Sequence, residues 1–117
     1  MSVRQIFNYF EIAGRIASNR RGKKTYLLAA IGIRSDGQMV QSVNGHSLSP
    51  TPPAHAEARL SRKLDKNATV FVARILLSDG SFAMAKPCQN CMRSLRSKKV
   101  KRVYYTISNN EYGVIDL

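Results

Sequence analysis

The sequence predicts an α/β domain organised on a sheet, and three features carry the expectation. An amphipathic helical stripe opens the chain, two apolar runs of strand length lie in its middle, and two short β-rich segments close it. The 117 residues suffice for one domain, 1–117, with a real core and little left for appendages.

Ser2 can cap a first helix, after which Val3, Ile6, Phe7, Phe10, Ala13 and Ile16 or Ala17 recur at helical spacing. Such a stripe needs an apolar surface to lie on, and one face of a sheet supplies it. Residues 19–24 (NRRGKK) form a polar, basic loop that ends this helix. The run 26–34 (YLLAAIGIR) is almost continuously apolar, the mark of a strand covered on both faces. Ser35-Asp36-Gly37 turns the chain, so that 38–44 returns antiparallel. The stretch 45–53 (GHSLSPTPP) is a proline-stiffened loop before a second helix, which begins near His55 and turns Leu60 and Leu64 inward. Residues 68–77 (ATVFVARILL) make a buried strand, and 78–86 hold an Asp-Gly turn with an apolar tip. A third helix runs from Cys88 to about Ser97 and packs through Met92 and Leu95. Strands at 103–107 and 112–116 end the chain, and the roughly four residues between them cannot hold a crossover, so they form an antiparallel hairpin.

Nineteen Lys and Arg stand against seven Asp and Glu, a formal charge of +12. That excess points to polyanionic partners, nucleic acid or nucleotide phosphates, although a surface kept soluble by one sign of charge has the same composition. No apolar run approaches the roughly 20 residues of a membrane span, and the amino terminus lacks the plan of a signal peptide. Both cysteines fall in one motif, which favours metal binding in a reducing compartment over a disulfide framework. The expectation is a cytoplasmic protein with no membrane association.

The chemistry concentrates in His55-Ala56-Glu57 and Pro87-Cys88-Gln89-Asn90-Cys91. Together they supply an imidazole, a pair of thiols and a carboxylate two residues beyond the imidazole. Three N/S ligands leave one position of a tetrahedral zinc open, as in catalytic sites. The carboxylate is then available for proton transfer. A lone C-x-x-C also suits redox pairs and structural zinc; the upstream H-A-E and the Pro before the first Cys make the combination specific. In these residues the chain resembles the zinc-dependent cytidine/deoxycytidylate deaminase superfamily, whose signature, H-x-E followed by P-C-x-x-C, it carries without substitution. The resemblance runs from about Leu27 to the end and extends to phage and bacterial DNA-cytosine deaminases.

The resemblance implies a three-layer cytidine-deaminase-like fold. Its central mixed five-stranded sheet has helices on both faces, and its fourth and fifth strands form the antiparallel hairpin. Relatives acting on transfer-RNA adenosine, and the vertebrate polynucleotide cytidine deaminases, usually place a helix between those strands. The hairpin instead resembles free-cytidine deaminases and several bacterial and phage enzymes acting on DNA, and it speaks against an adenine substrate.

By the same resemblance His55, Cys88 and Cys91 hold Zn2+, and Glu57 carries protons from water to N3 of cytosine and then to the departing amine. A structural zinc would take a fourth protein ligand, for which His46 is the one other histidine. The Ala56 N–H falls where relatives bind the base O2, and the Ala85 carbonyl where they accept the amino group. Asn44 falls where many bind the sugar, although an Asn before Gly45 equally suits a turn. Many polynucleotide-acting relatives have Ser or Thr with an aromatic before Pro-Cys, where this chain has Ala85-Lys86. Lys86 at a pocket rim suits a phosphate; a stacking surface would then come from Phe82, Tyr104 or Tyr105, unless these pack in the core.

Basic residues cluster in 19–24, in the helical stripe Arg59, Arg62, Lys63 and Lys66, and from Arg93 to Arg102. Of these, Arg59, Arg62, Lys63, Lys98, Lys99, Lys101 and Arg102 are the candidate nucleic-acid contacts. The leading expectation is a deaminase of cytosine in nucleic acid, single-stranded DNA above all. A homo-oligomeric deaminase of free cytidine, deoxycytidine or dCMP is the alternative. A basic binding module that keeps zinc only for folding is a third reading, against which the intact Glu57 counts.

Overall fold

A computed structural model describes residues 1–18, 27–43, 60–76 and 78–117. Helix α1 (Val3–Ser18) starts where Ser2 can cap it. The Gln5 amide donates to the Ser2 hydroxyl at 3.2 Å, and the Ser2 amide donates to the Gln5 side-chain carbonyl at 2.8 Å. This reciprocal box satisfies donors that the first turn leaves open. Ile6, Phe10, Ala13, Gly14 and Ala17 form the buried stripe, while Val3, expected in it, stays exposed.

The strands are β1 (Leu27–Ile33), β2 (Met39–Val43), β3 (Thr69–Ile75), β4 (Phe82–Ala83), β5 (Arg102–Thr106) and β6 (Tyr112–Asp116), with helix α2 (Gln89–Ser97) between β4 and β5. They form one mixed open sheet in the order β2-β1-β3-β5-β6, with β4 also on β3. Among the described strands only β3 and β5 run parallel; the other pairings, the β5–β6 hairpin included, are antiparallel. The short β4 corrects the five-strand expectation. Gly80, at φ +74, turns the apolar tip back so that Phe82 and Ala83 pair with Ile75 and Arg74. Among the described residues, no helix is long and apolar enough to cross a membrane.

Alternation along the strands separates two cores. Leu27, Ala29, Ile31, Phe71, Ala73, Ile75 and Tyr104 join the buried stripe of α1. Leu28, Ala30, Val70, Val72 and Val103 join Leu60, Leu64, Ala85 and Leu95 in the other cluster. Strand β1 therefore packs on both faces, as its unbroken apolar run requires. On the α1 side, Phe71 stacks between Tyr9 and Tyr104, with ring centroids at 4.5 and 5.0 Å.

At the hairpin, Tyr105 stands opposite Gly113 and its ring lies over the space a β-carbon there would take. Gly113→Ala should displace that ring and lower stability by about 1–3 kcal/mol, the usual cost of overpacking. Urea unfolding checks it: a midpoint equal to that of the unmodified protein would show that the ring does not hold the hairpin.

Candidate functional site

The site begins at a fork in the sheet. One edge of β3 pairs with β1 from Thr69 to Ile75; the other pairs with β5 as far as Val72 and with β4 at Arg74 and Ile75. Thr106, the last residue of β5, sits fully buried where the two partners part. Its hydroxyl donates to the Ala83 carbonyl at 2.7 Å and lies 3.3 Å from the donating Arg74 amide. Its carbonyl accepts from the Ala85 amide at 2.9 Å. The chain is thus tied down at Ala83 and Ala85, immediately before Lys86-Pro87-Cys88. Ala85 and Pro87 are buried, and Lys86 between them is exposed.

Cys88 is the N-cap of α2, with extended backbone (φ −71, ψ 168). Its carbonyl accepts from the Met92 amide at 2.9 Å, and its sulfur accepts from the Cys91 amide at 3.5 Å. Cys91, Met92 and Leu95 face inward, so Cys91 is buried while Cys88 is exposed. The two Sγ atoms lie 3.4 Å apart. That is far beyond the ~2.05 Å of a disulfide and close to the ~3.8 Å between two sulfurs each about 2.3 Å from a tetrahedral zinc. The pair therefore fits a metal: two sulfurs at adjacent vertices of one tetrahedron, at a helix start whose N–H groups favour negative charge. Among the described residues no third His, Cys, Asp or Glu joins them. The expectations for Asn44, His46, His55, Ala56, Glu57 and Arg59, and for the 19–24 and 45–53 stretches, lie outside the described residues.

Beyond the H-A-E stretch the chain is described from Leu60, three positions after Glu57, and there it is firmly held. Leu60 and Leu64 are buried in the same cluster as Ala85, Leu95 and Val100. Gly32 makes room for them: a β-carbon there would fall on Leu64 Cδ2. Around this anchor Arg34 Nη1 donates to the Lys63 carbonyl at 2.9 Å and Lys63 Nζ to the Gln41 carbonyl at 2.7 Å. Asp65 accepts from the Ser35 hydroxyl at 2.5 Å and amide at 3.0 Å, and these bonds hold its carboxyl below the ordinary value. The chain after H-A-E and the helix carrying the thiols are thus fastened to one apolar face.

The basic candidates divide. Arg62 is exposed, but the Lys63 ammonium is engaged with β2. Arg102 is also engaged: Nε pairs with Asp116 at 2.6 Å and Nη1 donates to the Tyr104 hydroxyl at 3.3 Å, which raises its pKa further. Lys98, Lys99 and Lys101 are exposed, at the carboxyl end of α2. With about 1.5 Å of rise per residue, they lie roughly 14 Å from the thiols, beside the start of β5 and not beside a loop at its end. Phe82 and Tyr104 pack in the α1-side core, and Tyr105 covers Gly113. No described aromatic side chain is exposed.

Sequence reasoning passed over Thr106. Its one signal was a hydroxyl in the otherwise apolar ending of RVYYT. Thr106→Val keeps the shape and strands the Ala83 carbonyl and the Arg74 amide, so stability should fall by about 1–3 kcal/mol. Thr106→Ser should recover most of the loss. Urea unfolding of the three proteins, with thiol labelling of the buried Cys91, checks this. Equal midpoints and equal labelling would show that the fork does not hold the thiol loop.

No family model matches this chain, and no curated protein is significantly similar to it. Its functional reading therefore rests on its own residues and their geometry.

Proposed function

We propose that the chain is a zinc-dependent hydrolytic deaminase that converts cytosine to uracil, with single-stranded DNA as the leading substrate. The observation that carries the reading is the thiol pair, 3.4 Å apart at the start of α2, in a chain that also holds an intact H-A-E. The two apolar clusters on opposite faces of a mixed sheet support the three-layer arrangement of the deaminase fold. The thiol pair also sits beyond the carboxyl end of β5, which runs parallel to β3, a favoured place for sites in α/β sheets.

His55, Cys88 and Cys91 would hold the zinc, which supplies the Lewis acidity that activates water near neutral pH. Glu57 is the proton carrier: it takes a proton from water, delivers it to ring N3, and later serves the departing amine. A C4–O bond forms, the C4–N bond breaks, ammonia leaves and uracil remains. The Ala56 amide and the Ala85 carbonyl hold the base by O2 and the amino group. The tie between the Ala85 amide and Thr106 keeps that carbonyl in register with the thiols. Asn44 binds the sugar, and the exposed Lys86 meets a phosphate beside the target base.

Charge favours a polymer over a single nucleotide. From Gly80 to Asn110 the chain carries seven Lys or Arg and no Asp or Glu, far more cation than one phosphate needs. The second reading, a homo-oligomeric deaminase of free cytidine, deoxycytidine or dCMP, is favoured by the antiparallel β5–β6 pairing and by the lack of exposed aromatics among the described residues.

Incubation with a cytosine-containing oligonucleotide, dCMP and deoxycytidine, each alone, tests the proposal. Uracil should appear in the oligonucleotide, and Glu57→Ala should lower the rate by about 10²–10⁴-fold or more while zinc stays bound. Robust turnover of deoxycytidine or dCMP with none on the oligonucleotide would promote the second reading. Turnover on none of them, with zinc present, would reject deamination of cytosine.

A further inference from the structure

The carboxyl end of α2 is built unlike its surroundings. The Lys99 amide donates to the Arg96 carbonyl at 2.9 Å and the Val100 amide to the Leu95 carbonyl at 3.2 Å, with Lys99 at φ 58. This is a Schellman closure whose left-handed position usually holds glycine. A lysine occupies it at a conformational cost that glycine would avoid. The Asn67 amide, itself from a residue at φ 70, donates to the Lys99 carbonyl at 2.8 Å. These are the non-glycine residues with positive φ among those described, and they meet at one place.

That place is a cleft of about 410 Å³ lined by Asn67, Arg96, Lys99, Val100, Lys101 and Leu117. Of these Arg96, Lys99 and Lys101 are exposed, as is the neighbouring Lys98 at the end of α2. The ion pairs among the described residues engage Arg15, Arg34 and Arg102 and none of these four. Asp116, which precedes the lining residue Leu117, is paired with Arg102.

We infer that this cleft binds the phosphodiester backbone of single-stranded nucleic acid, roughly one α2 length from the thiols. The inference rests on the polymer half of the proposed substrate and is independent of the deamination chemistry. Several cations around one concavity, with no carboxylate paired to them among the described residues, match successive phosphates better than a lone anion. The described surface offers no aromatic platform, so binding there is electrostatic and steep in salt. At ~3.4 Å per stacked nucleotide, about four nucleotides separate the cleft from a base at Cys88. A trinucleotide would therefore not span both, and a strand of about 15 nucleotides would.

Lys99→Gly provides the test, because it removes the charge while easing the backbone. Its melting temperature should equal or exceed that of the unmodified protein. Its affinity for a labelled strand of about 15 nucleotides, by fluorescence anisotropy, should fall about five-fold near 0.1 M salt, with the log–log salt slope shallower by about 0.7. Arg96→Gln, Lys99→Gly and Lys101→Gln together should lose about a hundred-fold and about two units of slope. DNA and RNA strands should lose equal increments, since phosphate is what the cations read; a loss confined to one polymer would assign the cleft to that polymer. A folded Lys99→Gly or triple variant with unchanged affinity and slope would overturn the inference. Protein that binds through these cations but releases no uracil would reject the deaminase reading and leave this one standing.

Discussion

The half of the molecule that carries the thiol pair depends on how one edge of β3 is shared. A central strand has two edges, and on this one β5 and β4 occupy successive stretches. Such a fork leaves backbone groups without ladder partners in a place water does not reach, and unmet groups there cost about 1–3 kcal/mol each. Thr106 fills the gap with one hydroxyl and one carbonyl, bonding to Ala83, Arg74 and Ala85. Leu60 and Leu64, seated beside Gly32, anchor the chain after H-A-E on the same face as α2. Those two fastenings bring the chain from Leu60 and the start of α2 onto one apolar face, with precision set by buried backbone bonds.

Charge is organised on the same frame. Arg102 and Lys63, two of the seven candidate contacts, hold the fold together: one crosses the β5–β6 hairpin and the other ties the turn after Leu60 to β2. The other six cations between Gly80 and Asn110 fall into two groups along α2, Lys86 and Arg93 towards the thiols and Arg96, Lys98, Lys99 and Lys101 at the far end. A polymer lying along the helix would meet the first group at the reacting base and the second several nucleotides away. On the proposed reading, such an arrangement would separate holding from chemistry and make the former salt-dependent.

Much of the fold was legible because its signals are local. The stripe from Ile6 to Ala17, the unbroken run in β1 and the short gap before Tyr112 each dictate one element on its own. The helical spacing of Met92 and Leu95 likewise placed a helix from Cys88, which caps α2. The misses are of another kind. Strand β4 is only two residues long and exists because β3 has an open stretch of edge, a property of the assembled sheet. The roles of Thr106 and Gly32 depend on residues some thirty positions away. Arg102 read as a free cation because Asp116 comes opposite it only once the hairpin register is set. Side-chain partners across a sheet follow from topology, which composition and spacing do not carry.

On the proposed reading Cys88 and Cys91 belong to a zinc centre with an open position, and not to a closed structural site or a redox pair. X-ray absorption at the zinc edge, on protein purified without added chelator, measures this directly. One zinc per chain is expected, with two sulfurs at about 2.3 Å and two lighter ligands at about 2.0–2.1 Å, one of them lost in His55→Ala and the other exchangeable with added anions. Absence of zinc together with a Cys88–Cys91 disulfide in active protein, or four protein ligands with His46 required alongside His55, would contradict it.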